Sequence, residues 1–82
     1  TLFNFSANHI IVLSSKKFDK CTIYNLKDLD TKRCYKAYDY SNSCHMTPNT
    51  VYCISGKVNS HDKLYLILEH CKKDARYYAK TI

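Results

Sequence analysis

Eighty-two residues suffice for one domain with a modest core and leave no room for a second. Thirteen Lys and Arg against seven Asp and Glu give a net charge of +6, which suits acidic partners such as RNA, anionic lipid or an acidic protein face and equally serves plain solubility. Apolar runs such as Ile10-Ile11-Val12-Leu13 are far too short for a membrane-spanning helix, so no membrane insertion is expected.

Taken in chain order, Ile10 to Leu13 reads as a buried strand because the run is continuous and mostly β-branched. Ser14-Ser15 offers an N-cap, and Lys16 to Asn25 reads as a short helix, with a strand at Cys21-Thr22-Ile23-Tyr24 as the competing reading. Lys27 to Lys32 is charged and reads as a loop. Arg33 to Tyr40 alternates like a strand, sending Tyr35 and Ala37 to one face and Lys36 and Tyr38 to the other. Ser41 to Asn49, around the lone Pro48, is turn chemistry. Val51 to Ile54 is a strand that Ser55-Gly56 should stop, and Asn59 to Asp62 is a second turn cluster. Lys63 to Glu69 has apolar residues on both faces, as a central strand would. Lys72 to Asp74 should turn the chain into a last strand, Arg76 to Thr81, completing a terminal hairpin.

A domain this small is marginal from burial alone. Its cysteines, Cys21, Cys34, Cys44, Cys53 and Cys71, form no C-x-x-C pair, so they are disulfide candidates in preference to a zinc site. The odd count leaves at least one thiol free or paired outside the chain, and spacing does not give the pairing. Such density points to secretion. The chain opens at Thr1 with no basic-then-apolar leader, as either a chain stripped of a signal peptide or an artificially trimmed one would. Asn4-Phe5-Ser6 is a sequon that makes Asn4 a glycosylation candidate.

The C-terminal half has a recognisable order. Tyr52-Cys53-Ile54-Ser55-Gly56 is followed by a polar turn, then by Asp62-Lys63-Leu64-Tyr65-Leu66-Ile67-Leu68. A charged stretch, Glu69 to Asp74, leads into Ala75 to Thr81. This order resembles the core of the fungal guanyl-specific ribonucleases, and is closer to the ribonuclease-like effectors that powdery mildew fungi secrete into host plant cells. Near the N-terminus, Phe3-Asn4-Phe5 stands where that family has Tyr-x-Cys, followed in the family order by His9-Ile10-Ile11 and Ser14-Ser15-Lys16-Lys17-Phe18. Phe5 replaces the family cysteine and no cysteine follows Cys71, so the family's end-to-end disulfide cannot form. The resemblance implies a single α+β domain over 1–82, with a short N-terminal helix packed on a curved antiparallel sheet. It also implies a secreted, monomeric, avirulence-type effector that acts inside the host cell. Its partners would be host plant proteins, NLR-type intracellular immune receptors among them.

Ribonucleases of that fold need a base for the 2′-hydroxyl proton and an acid for the leaving oxygen. Carried over position by position, the base falls at Val51, which moves no proton. The cation after Asp62 falls at Lys63, without the bidentate fork of an Arg. The acid falls at Lys80, a poor acid at neutral pH. The implied protein is a pseudoenzyme with no catalytic residue, no metal and no cofactor. His9, His45, His61 and His70 are scattered; His61 and His70 would meet only if their turns share one end of the sheet. Cys44-His45 and His70-Cys71 read as half-cystines beside exposed histidines in preference to a metal or thiol site.

Two stretches interleave cations with rings: Lys32 to Tyr38, and Arg76 to Lys80. RNA-binding surfaces use that mixture, rings for bases and cations for phosphates, which nominates Arg33, Tyr35, Lys36, Lys63, Arg76 and Lys80 as a binding set for RNA or a host protein. A small β-domain also buries tyrosines for packing alone. The alternative to the ribonuclease reading is a small disulfide-stabilised β-sandwich effector or toxin of other ancestry. Lys16 to Asn25 parts the two: a helix favours the first, a strand the second.

Overall fold

The computed structural model describes residues 1–59, 61 and 65–74. They form β1 (Leu2–Lys17), β2 (Thr22–Asp28), β3 (Cys34–Asp39), β4 (Val51–Asn59) and β5 (Tyr65–Lys73). The strands close into a barrel in the order β1-β2-β3-β5-β4. Closure depends on β1, which is long enough to serve two partners. Its second half pairs antiparallel with β2, from Ile10↔Asp28 to Lys17↔Thr22. Its first half pairs antiparallel with β4, from Leu2↔Asn59 to Ile11↔Val51. Register shifts between Ala7 and Ile10 and between Val12 and Ser14 bend it from one partner to the other. β2 and β3 are antiparallel, β4 and β5 are antiparallel, and β3 runs parallel to β5 through Lys36↔Tyr65, Ala37↔Leu66 and Tyr38↔Ile67. With β4 returning beside β1 after the β1-β2-β3 meander, the connectivity is a Greek key.

Alternation along each strand sorts side chains to the inside or outside. One inward row runs Tyr24, Ala37, Leu66, Val58 across four strands, all buried. Ile10, Val12, Leu26, Ile54 and Leu68 complete the core, with Phe5 and Tyr35 packed against it edge to face, their ring centroids 5.2 Å apart. Ile11, Leu29 and Val51 form a second small cluster.

Several sequence expectations are corrected. The α+β class fails: the described residues contain no helix, and the sheet is a closed barrel. Lys16 to Asn25 is not a helix. β1 continues to Lys17, the chain reverses through a turn in which the Phe18 N–H donates to the Cys21 carbonyl at 2.8 Å, and β2 begins at Thr22. The reason is visible in β2, where Thr22, Tyr24, Leu26 and Asp28 are buried and alternate with Ile23, Asn25 and Lys27. That period of two defeats a capping Ser pair. The competing strand reading of this segment holds, although as part of a barrel and not a sandwich. Lys27 and Asp28 belong to β2 and not to a loop, and β5 runs on through Lys72 and Lys73, where a turn was expected. The expected final strand over 76–81 lies outside the described residues.

Gly56 does not stop β4, which passes through it to Asn59. A Cβ there would lie 2.0 Å from the Ile67 carbonyl oxygen, at the β4–β5 register shift between Ser55 and Gly56. The chain's one glycine therefore serves a close backbone approach and no turn. Positive φ is taken instead by Lys32, Asn42 and Asn49, the two asparagines being suited to that region.

The connector over 40–50 plugs one end of the barrel with Cys44 and Met46. Asp39, fully buried, organises it: Oδ2 accepts from the Cys44 N–H at 2.8 Å and Oδ1 from the Ser41 hydroxyl at 2.9 Å. The Tyr24 hydroxyl donates to the Cys44 carbonyl at 2.7 Å, and the Thr47 N–H donates to the Tyr52 hydroxyl at 2.9 Å.

Two substitutions test this architecture in urea melts. Gly56→Ala should lower stability by about 3 kcal/mol through the forced displacement of β5. Asp39→Ala, which strands the buried Cys44 N–H, should cost about 2 kcal/mol. Unchanged midpoints would contradict these roles.

Candidate nucleic-acid interface

The outward faces of β2, β3, β5 and β4 carry a row in register: Lys16, Ile23, Tyr38, Ile67, Lys57 and Asn4. Beside it lie Asn25, Lys36 and Tyr65. Three rings gather here. Tyr38 stacks on Tyr65 with centroids 4.3 Å apart and planes at 22°, and on Tyr40 at 6.0 Å and 15°. The Tyr40 and Tyr65 hydroxyls hydrogen-bond to one another. Tyr40, just past the end of β3, is 52% exposed.

Lysines frame the rings. Lys36 is exposed and stands across from Tyr65. Lys57 stands across from Ile67, its Nζ donating to Asn4 Oδ1. Lys16 lies over the exposed Phe18 ring, 5.4 Å from its centroid, at the margin formed by the β1–β2 turn. Carboxylates gather at the other end of β2. There His9 Nδ1 is 3.0 Å from Asp30 Oδ2 and its Nε2 3.7 Å from Asp74 Oδ2, while Asp28 Oδ1 accepts from the Asp30 N–H at 2.8 Å. The outer face thus carries rings and lysines, with Glu69 farther along β5 and Asp19 beside Phe18 as the carboxylates at its margins.

Of the binding set nominated from sequence, Lys36 lies on this face. Arg33 is exposed in the turn leading into β3, 3.3 Å from the Thr31 hydroxyl through its backbone N–H. Tyr35 is half-buried and packs edge to face against Phe5 on the inner side of the sheet, away from this face. Lys63, Arg76 and Lys80 lie outside the described residues. Val51 is buried beside Ile11 and Leu29. Asn4, the sequon residue, is exposed on β1 against Lys57. His70 lies across from Ser55 on β5 and His61 in the bend after β4. Among the described residues no group of three His, Cys, Asp or Glu could hold a metal ion. The binding set nominated from sequence missed Tyr38, Tyr40 and Tyr65, although alternation had separated Tyr38 from Tyr35. The missing information was the parallel β3–β5 pairing, which no local pattern encodes.

The hydrogen bond to Tyr40, aided by burial, pushes the Tyr65 hydroxyl up to about 12. The folded value lies above the ordinary one near 10, so the neutral pair favours the fold below about pH 10, and this contribution disappears as pH rises through 12. Ultraviolet titration should show two tyrosines ionising late, Tyr65 and the buried Tyr24, and Tyr40→Phe should return one of them toward the ordinary range; an unchanged number of late ionisations in Tyr40→Phe would refute the assignment. Comparison with family models, curated proteins and solved structures finds no match to this chain.

Proposed function

We propose that this protein binds single-stranded nucleic acid on the outer face of β2, β3 and β5, and acts by binding and not by turnover. The observation that carries the reading is the stack of Tyr38, Tyr40 and Tyr65 on the outside of the barrel, framed by Lys36 and Lys57. Rings kept at the surface offer π-faces to unpaired bases, and every base has one, so such a platform tolerates sequence. Lysines at its edge meet the phosphates that necessarily flank stacked bases. Duplexes hide their bases in the stack and would use only the cations. The net charge of +6 acts in the same direction, raising encounter rates with a polyanion.

Architecture supports the same reading by analogy. Five-stranded Greek-key barrels include the folds that bind oligonucleotides and oligosaccharides on the face around their second and third strands; the analogy raises the expectation and identifies no ligand. The effector role implied by the ribonuclease resemblance depended on a helix over a shared sheet. Without that helix, host proteins and immune receptors have no support from the fold, and secretion rests on the cysteine density and the Asn4 sequon.

Fluorescence anisotropy with short labelled oligonucleotides tests the proposal. Single-stranded RNA or DNA should bind more tightly than duplex, and RNA should remain uncut on incubation. Tyr38→Ala and Tyr40→Ala should each weaken binding by about 1–3 kcal/mol. Lys36→Ala should lower the log–log salt slope by about 0.7. Affinity that ignores salt, or tyrosine variants that bind as the parent does, would overturn the proposal.

A further inference from the structure

The five cysteines are free thiols, and they do not share one environment. Cys34 is exposed at the start of β3, and Cys21 sits in the β1–β2 turn. Cys53 donates its thiol to the Asn8 carbonyl at 3.2 Å. Cys44 is buried in the connector plug, and Cys71 of β5 packs against the same core. Register separates the obvious candidates. Cys53 pairs with Lys72 and Ile54 with Cys71. Because neighbours along a strand face opposite ways, Cys71 shares the inward face with Ile54, while Cys53 looks out. Cys53 lines the same cleft as Cys71, but a bridge between them would have to join side chains on opposite faces of the ladder. Cys71 instead packs against the core cluster that contains Cys44, which places the two thiols side by side on the inner face.

We propose that Cys44 and Cys71 are an oxidisable dithiol that closes to a disulfide by exchange with a small disulfide such as oxidised glutathione, stapling the 40–50 connector to β5. The inference is independent of the nucleic-acid reading. Approach is asymmetric. Cys71 is partly exposed and lines a shallow cleft of about 240 Å³ with Ala7, Asn8 and Ile54; Cys44 is 5% exposed. The Cys71 thiolate attacks glutathione disulfide, forming a protein–glutathione mixed disulfide and releasing one glutathione thiolate. Cys44 then loses its proton to solvent and attacks the Cys71 sulfur, and the second glutathione leaves as thiolate and takes up a proton. The two protein sulfurs are oxidised, and one glutathione disulfide becomes two thiols.

The second step has a distinctive pH dependence. Burial first, and then the hydrogen bond with Cys71, push the Cys44 thiol up to about 12. Once Cys71 carries glutathione its hydrogen bond is gone, but burial, the larger cause, still holds the Cys44 thiol up, so closure should keep accelerating beyond the pH at which an ordinary thiol near 8.5 is largely ionised. The loop closed is long, so the bond should raise the melting midpoint by on the order of 10 °C.

The test is incubation of the whole chain in glutathione redox buffers, followed by alkylation of free thiols, peptide mapping by mass spectrometry and a thermal melt. The expected result is a single internal bridge between Cys44 and Cys71, a raised melting midpoint and reversal by dithiothreitol. Cys44→Ser should stop at glutathione attached to Cys71. A bridge between any other pair, or Cys44 and Cys71 both recovered as free thiols while other cysteines are oxidised, would overturn the proposal. The mapping is done on the parent chain, so a poorly folded variant does not blunt it.

Discussion

The structure depends on one strand pairing along both of its margins. An isolated sheet of five short strands exposes two rows of unpaired backbone N–H and C=O groups. β1 abolishes both by running Leu2–Lys17 with β4 on one stretch and β2 on another. Flat strands do not close a barrel of this size, and the two register shifts in β1 supply the bend. Once closed, the barrel dictates which side of every other strand is wet. Tyr24, Ala37, Leu66 and Val58 become core, and Ile23, Tyr38, Ile67 and Lys57 become surface.

Closure also leaves a barrel end to fill, and the chain does so with polar chemistry instead of a helix. The connector has almost no regular structure, yet its buried backbone groups are satisfied by side chains from the barrel wall. Asp39 takes the Cys44 N–H, and the Tyr24 hydroxyl takes the Cys44 carbonyl. Among the described residues no buried side-chain nitrogen or oxygen lacks a partner. The plug thus costs little desolvation free energy. It also brings Cys44 to the inner face of β5, where the spacing of cysteines in the sequence gave no hint that Cys71 would be its neighbour.

What the sequence made legible was local. Strand character at Ile10 to Leu13, Arg33 to Tyr40 and Val51 to Ile54 was readable from β-branched content and period, and so was the split of Tyr35 from Tyr38. The error at Lys16 to Asn25 came from giving a Ser-Ser cap more weight than the alternation of Thr22, Tyr24, Leu26 and Asp28. Gly56 was read as a stop because glycine weakens strands; its real reason, the Ile67 carbonyl, belongs to a strand that comes later in the chain. The candidate site was half legible. Lys36 was named, but the union of Tyr38 and Tyr40 with Tyr65 needs the parallel β3–β5 pairing, and that follows only from barrel closure.

The double duty of β1 carries a consequence for how the molecule is made. The stretch from Leu2 to Ala7 is synthesised before the ladder partner it needs, Ser6↔Ser55 to Leu2↔Asn59, which emerges only after the meander and the connector. Until then Phe3 and Phe5 sit on an open strand edge, the arrangement that invites pairing with another chain. Contacts so distant in sequence place assembly at the slow end for a domain of this size, in milliseconds to seconds. The nascent chain therefore passes through an interval in which its yield depends on concentration and on shielding by chaperones, a vulnerability the finished barrel no longer shows.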